Sequence, residues 1–442
     1  MREVTGLSLF VVGVGGRSLV LVIGTLNLIV LARALGPFGR GQYFVFVSLL
    51  LVLSTLADLG VSQSAVVFGG RHDLRPSEVH RVLVRYAALF ALLVGTGGAF
   101  VVIAVGDTIL PNIPRAWSLG ALVAVPLAVY ANYWNAMMVG LRRVASVTAV
   151  QLAVAALSLA GNLGLVAPTG SAVGAVLVYV GVLVIQVAAM VWLLRRLPGR
   201  ASERESGSRD LGREMILFGL RGYPNSLGML LRNQSAVFVL NALHGPGAVG
   251  VYSIAQALAE KLLLPIQSLQ DVLFNRMIRL PRAEATETMN RYLRVGLALM
   301  LPIVALAILL GPTLITLLFS EAFSGAAAPL RLLLVGSAVA VTPALLSTYL
   351  LGHLGRPGLL SILSWLNGCL SLVLLVVLVP GGAATGAAAA MLTAQLVSAV
   401  VVLALYLRLA RTDWRGLLLL ERADVVLLKQ QVLGAIAPRT TR

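Results

Sequence analysis

Residues 7–31 read LSLFVVGVGGRSLVLVIGTLNLIVL, an apolar run with a single charge, Arg17. About 20 such residues, wound into a helix, match the roughly 30 Å hydrocarbon core of a bilayer. Eleven further runs follow, at 43–68, 82–106, 117–140, 145–167, 172–194, 214–240, 248–274, 294–319, 329–351, 358–379 and 384–408. The 442-residue chain is 59% hydrophobic and 12% charged, against about 25% charged in an average soluble domain. In lipid every backbone amide needs a partner inside its own segment, and the runs lack the alternation of a barrel strand. The twelve are therefore expected to be transmembrane helices of an all-α membrane protein. The first run is too long, and has no small-residue cleavage site after it, to read as a leader.

The net charge of +17 invites comparison with a nucleic-acid binder. Its distribution argues otherwise. Of the 34 Lys and Arg, 26 fall in the N-terminus, the C-terminus and the loops on the same side, counting Arg85, Arg294 and Arg408 at the edges of the adjoining runs, while the opposite side holds Arg33, Arg40, Arg115 and, at a run's edge, Arg331. That bias predicts cytoplasmic N- and C-termini and excludes a nucleic-acid partner. Arg outnumbers Lys 32 to 2 amid abundant Ala, Gly, Val and Leu, the bias of a GC-rich bacterial genome, so the expected location is the bacterial cytoplasmic (inner) membrane. One cysteine, Cys369, forms no intramolecular disulfide or metal cluster. His72, His80, His244 and His353 show no ligand spacing, and are read as solvated. No metal, cofactor or catalytic residue is expected.

The chain divides as a bundle over 1–194, a polar linker over 195–213, a second bundle over 214–410 and a cytoplasmic tail over 411–442. The halves echo one another. Gly140, Pro168, Gly170 and Gly174 recur 212 residues later as Gly352, Pro380, Gly382 and Gly386, and Gly41 and Tyr43 recur 209 residues later as Gly250 and Tyr252. With six helices in each half, both copies enter the membrane from the same side. This predicts two parallel six-helix bundles related by a pseudo-twofold along the membrane normal, an arrangement suited to rocking about a central site.

Charges at membrane depth are costly and usually face a cavity or a partner. Arg17, Asp58, Arg221, Arg232, Glu260 and Lys261 lie inside the runs. Arg17 is deepest; Arg221 and Arg232 are nearer the ends of their run, where a long side chain can reach the surface. The stretch Tyr130, Asn132, Tyr133, Trp134 and Asn135 mixes aromatic and amide groups. It suits a sugar-binding wall or, as often, glue between helices. Pro224 follows Arg221 by three residues and is a candidate hinge.

The stretch 31–68, LARALGPFGRGQYFVFVSLLLVLSTLADLGVSQSAVVF, resembles the first hairpin of Wzx-type polysaccharide flippases of the multidrug/oligosaccharidyl-lipid/polysaccharide (MOP) exporter superfamily. The run 247–274, GAVGVYSIAQALAEKLLLPIQSLQDVLF, is similar to their eighth helix. The resemblance covers the whole chain and implies a function. A polyprenyl-diphosphate-linked glycan would be turned from the cytoplasmic to the outer leaflet by alternating access, coupled to H+ or Na+, with membrane lipid around it. Arg17, Arg221 and Arg232 would bind substrate, and Asp58 and Glu260 are the candidates for ion coupling. Family members often carry an acid shortly after the arginine late in helix seven; here Asn233 and Gln234 follow Arg232. A drug or metabolite exporter of the same superfamily is the alternative, disfavoured by the intramembrane arginines. A membrane polymerase or ligase would need catalytic groups on a longer external loop than this chain has.

Overall fold

The computed structural model describes residues 6–71, 74, 76–196, 208–277 and 280–412; most of the expected linker and nearly all of the tail lie outside them. In chain order the helices are α1 (Gly6–Asp58), α2 (Val61–Gly69), α3 (Pro76–Ile109), α4 (Arg115–Gly140), α5 (Val144–Gly161), α6 (Ala167–Thr169), α7 (Ala172–Arg195), α8 (Ser208–Leu262), α9 (Leu264–Met277), α10 (Arg282–Phe319), α11 (Ala327–Gly352) and α12 (Pro357–Ala410). Among the described residues nine helices are long and apolar enough to cross a membrane. Three of the nine, α1, α8 and α12, each contain a break at Gly36, Gly245 and Ala383 respectively. Each of these three is long enough to cross twice, which is consistent with twelve spans. This is a multi-pass, all-α membrane protein.

Two of the breaks share one design. Gly36 has φ 62° and ψ −178°, and Gly245 has φ 73° and ψ −178°, a conformation open in practice to glycine alone. Each is followed by a proline, Pro37 or Pro246. The repeat at an offset of 209 residues thus extends to a Gly-Pro pair that the sequence reading did not include.

The chain packs as two compact units. The first comprises Met1–Ser253 with Thr316–Phe323, the second Ile254–Ile315 with Ser324–Arg442. In the first unit the two Gly-Pro hairpins press on each other reciprocally. A Cβ on Gly41 would land on the Pro246 carbonyl, 2.5 Å from its carbon, and a Cβ on Gly250 would land on the Pro37 carbonyl, 2.8 Å from its carbon. The paired glycines that the sequence singles out are therefore the points where one hairpin's backbone meets the other's. Arg33 adds a bracket: its Nε and Nη2 donate to the carbonyls of Leu318 and Leu317 at 2.7 and 2.5 Å. Those carbonyls end α10, where a cation complements the helix dipole.

Elsewhere in this unit, α2 restarts the second span after a break at Leu59 and Gly60. The break lets backbone meet backbone again. A Cβ on Gly60 would lie 2.6 Å from the Gly219 carbonyl carbon, and one on Gly219 would lie 2.6 Å from the Gly60 oxygen. The core beneath is filled by Phe68, Leu83, Tyr133, Trp134, Met137 and Met138. Residues 162–166 form a π-turn at the end of α5, where buried Asn162 donates to Asn27 at 2.8 Å. Such amide pairs hold helices together in lipid.

In the second unit, Tyr406 is fully buried, edge-on to Tyr349, and its hydroxyl donates to Asn290 Oδ1 at 2.6 Å. Gln270 donates to the Ala344 carbonyl at 2.6 Å. The turn in α12 at Ala383 stands one residue after Gly382, the repeat partner of Gly170, whose own φ of 59° turns the chain between α6 and α7.

The Gly60–Gly219 contact leaves no room for a side chain. Gly219→Val should cost about 1–3 kcal/mol, the usual penalty of overpacking, and lower the thermal unfolding midpoint of the detergent-purified protein. Gly358→Ala, at a position with open space around it, should shift that midpoint far less.

Candidate functional site

The candidate site is best defined on α8. Its dihedrals stay helical from Ser208 through Pro224 until the break at Gly245, so the sharp change of direction lies at Gly245-Pro246, with no such break at Pro224. Within that helix Arg221, Asn225, Arg232 and Ser235 follow one another at spacings of four, seven and three residues, and share one face. Arg221 is exposed and Arg232 half-buried, its Nε donating to Asn233 Oδ1 at 3.1 Å.

The same segment holds polar atoms with nothing to bond. Gln234 Oε1, Ser235 Oγ and Asn241 Oδ1 are buried without a hydrogen-bond partner. Most buried polar groups are paired, so an orphan needs an explanation. Sequence reasoning missed Gln234 and Ser235; the signal was a polar run, Arg232 to Ser235, inside an otherwise apolar span.

At its N-terminal end α8 is stitched to the second span through the side opposite this face. Tyr223 donates to the Leu56 carbonyl at 3.0 Å, and Gln63 Nε2 donates to Ser226 Oγ at 3.1 Å. Asp58 fixes the stitched segment. Its Oδ2 accepts from the Gly60 amide at 3.1 Å and the Ser62 hydroxyl at 2.8 Å, and its Oδ1 accepts from the Ser62 amide at 3.2 Å. The carboxylate, with only 8% of the residue exposed, caps the restart of the helix. The Tyr133 hydroxyl closes the arrangement by donating to the Asp58 carbonyl at 3.1 Å.

The other sequence-predicted residues are dispersed. Arg17 lies on α1, and its side chain is outside the described ones. Tyr130 is buried, its hydroxyl 3.1 Å from His80 Nε2; His80, expected to be solvated, is half-buried because it meets that tyrosine. Tyr133 and Trp134 are buried in the core of the first unit. Asn135 is half-buried with its Oδ1 unpartnered, and Asn132 is exposed. Of the five residues at 130–135, Asn132 alone is exposed. Glu260, in the second unit, is exposed and accepts from Gln256 at 2.7 Å; Lys261 beside it is half-buried.

The first unit also contains a cavity of about 370 Å³ lined entirely by apolar residues, among them Leu49, Leu53, Leu56, Val94, Gly98 and Phe238. It offers nothing to a sugar or a phosphate. Among the described residues no group of His, Cys, Asp or Glu is arranged to hold a metal ion.

The chain matches the family model described as polysaccharide biosynthesis protein over residues 10–280. No curated protein matches it. Among solved structures it is similar to the lipid II flippase MurJ in an inward closed conformation, at 10% identity and a TM-score of 0.71, covering 97% of this chain and 94% of that one. It is also similar to an inward-facing multidrug resistance MATE family transporter of the MOP superfamily, at 16% identity and a TM-score of 0.66, covering 92% and 95%. A third is a MOP superfamily transporter from Pyrococcus furiosus, at 15% identity and a TM-score of 0.61, covering 91% and 94%. At these identities the likeness is one of fold.

The cap at Asp58 is testable. Asp58→Ala removes three acceptor bonds and should lower stability by about 1–2 kcal/mol, the upper range for a lost cap. Asp58→Asn keeps an acceptor for the Ser62 amide and should lose less. Thermal unfolding of both variants in detergent gives the comparison.

Proposed function

The chain belongs to the polysaccharide biosynthesis protein family and has the fold of MOP superfamily transporters and flippases; on that premise we propose that it turns a polyprenyl-diphosphate-linked oligosaccharide from the cytoplasmic to the outer leaflet of the bacterial inner membrane. The observation that carries the reading is the polar face of α8. Arginines at positions 221 and 232 share it with Asn225 and Ser235, and half-buried Gln234 and buried Ser235 leave side-chain oxygens unpaired.

The head group of such a substrate is large, hydroxyl-rich and anionic. Guanidinium groups stay charged and match phosphate oxygens with a two-pronged fork. Unpaired amide and hydroxyl oxygens suit donation from sugar hydroxyls. Arg17, on the first helix of the first half, is assigned to the same task because of its depth. The isoprenoid tail needs no site of this kind, since it stays in hydrocarbon. Alternating access driven by H+ or Na+ completes the proposal. Glu260 is the more accessible of the two candidate carboxylates, since Asp58 is occupied as a cap.

The test is complementation of glycan export in cells lacking the protein, with membrane abundance measured in parallel. Arg17→Ala and Arg232→Ala should each remove a charged hydrogen bond worth about 1.5–3 kcal/mol, a loss of roughly tenfold or more in transport. Arg17→Lys should keep part of the activity, as the charge remains and the fork is lost. Full activity of a well-expressed Arg17→Ala variant refutes the cationic site; abundance that collapses with activity assigns Arg17 to structure.

Orientation is a separate prediction. In a Cys369→Ala background, Ser206→Cys should resist an impermeant thiol reagent in intact cells and react after the membrane is opened. Labelling in intact cells would reverse the assigned topology.

A further inference from the structure

Arg40 stands between Gly39 and Gly41, inside the first Gly-Pro hairpin. The sequence places it among the cations of the loops opposite the cation-rich side. In the structure it is 5% exposed, and its Nε is buried without a hydrogen-bond partner. Its guanidinium carbon lies 5.7 and 5.8 Å from the ring centroids of Tyr43 and Phe44. Among the described residues no carboxylate forms an ion pair with it. A buried guanidinium remains protonated, and aromatic faces compensate it only in part. What it lacks is a counter-ion, and the partner that its fork fits is an oxyanion.

The backbone beside it is held in a clasp. Gly41, the next residue, is pressed against Pro246, and the reciprocal contact of Gly250 with Pro37 holds the same hairpin from the other side. Both contacts are backbone on backbone, so they part as a unit or hold as a unit. The hairpin joins the first two spans at the end opposite the cation-rich loops, which the charge bias makes the outer end.

We propose that Arg40 is an oxyanion-holding residue, masked while the two Gly-Pro hairpins are clasped and presented when they part, and that its ligand is the diphosphate of the lipid carrier arriving at the outer side. The identity of that ligand rests on the flippase reading; the presence of an anion site does not.

The test uses the full chain in detergent with inorganic diphosphate as the probe, measured by titration calorimetry. Gly250→Ala places a methyl group on the Pro37 carbonyl and parts the clasp without altering Arg40. It should bind diphosphate about tenfold more tightly than the parent. Adding Arg40→Met should abolish that gain, and Arg40→Lys should keep part of it. A gain that survives Arg40→Met, or a folded Gly250→Ala with no gain, overturns the proposal.

Should Gly250→Ala fail to fold, Arg40→Met in the parent decides. Loss of a bare buried cation should leave the unfolding midpoint unchanged or raised and remove the stabilisation by diphosphate. A lowered midpoint with that stabilisation intact makes Arg40 a structural residue and overturns the site.

Competition separates the sources of phosphate. A polyprenyl diphosphate should displace the probe, and phosphatidylglycerol at the same concentration should not; equal displacement overturns the assignment to the carrier. If Arg40-dependent binding holds while the parent, in vesicles, turns over no lipid-linked oligosaccharide, the flippase reading falls and the anion site stands.

Discussion

Helices in hydrocarbon gain nothing from hiding apolar side chains from each other, because lipid tails are equally apolar. What remains is close approach, and in the first unit it is taken to its limit, with backbone lying directly on backbone. Gly41 meets Pro246, Gly250 meets Pro37, Gly60 meets Gly219, and Gly140 meets the Val66 carbonyl. At this range dispersion and weak Cα–H···O contacts act over many atoms, and any side chain would separate the pair. Three of these contacts sit at or beside a helix break: Gly36, Gly245 or the Leu59–Gly60 turn. The breaks are what let carbonyls swing out of the helical ladder and be covered by a neighbouring chain instead of by lipid.

That dependence explains which parts of the molecule were legible in its sequence. Apolar runs mark spans because lipid imposes one rule on every residue of them, and the twelve runs correspond to nine long helices once the breaks in α1, α8 and α12 are counted. The repeat was visible at Gly41 and Gly250 as a spacing, but its purpose was not. Nothing in either copy alone says that one glycine receives the other copy's proline carbonyl. Gly36-Pro37 and Gly245-Pro246 read locally as ordinary turns, so their equivalence emerges only from matching dihedrals. Asp58 was recognised as a charge at depth, and depth suggested a mobile ion. In the structure its carboxylate accepts from Gly60 and Ser62, two and four residues on, a local arrangement that depth alone does not reveal. Arg40 was counted only as a loop cation, and counting says nothing of burial. This connection is covered by the other hairpin.

The aromatic group at 130–135 shows the limit of reading side chains by type. Helical periodicity divides it: Tyr130, Tyr133 and Trp134 turn into the core of the first unit, while Asn132 turns outward. Aromatic rings with one polar atom serve equally as a sugar platform or as packing with a hydrogen-bonding tip. Only the neighbours decide, and here they are His80 and the Asp58 carbonyl. On α8 the neighbours decide the other way. Ser235 is buried and Gln234 half-buried, and their side-chain oxygens meet no donor.

The sign and kind of the unmet polar demand narrow the ligand further. The carboxylates inside the described spans are satisfied: Asp58 by three donors, Glu260 by Gln256. Asn27 and Asn162 meet each other. Among the buried orphans are nitrogens on Arg40 and Trp134 and amide or hydroxyl oxygens on Asn135, Asn162, Gln234, Ser235, Asn241 and Gln256. A cationic drug would call for the reverse, a free carboxylate or an open aromatic face. An anionic group rich in hydroxyls answers both kinds of orphan at once, its oxyanion taking the arginine and its hydroxyls donating to the oxygens. The apolar cavity between Leu49, Val94 and Phe238 competes for neither. On the proposed reading, the charged, hydroxylated head of a carrier-linked glycan would answer such groups while its hydrocarbon tail stayed in lipid.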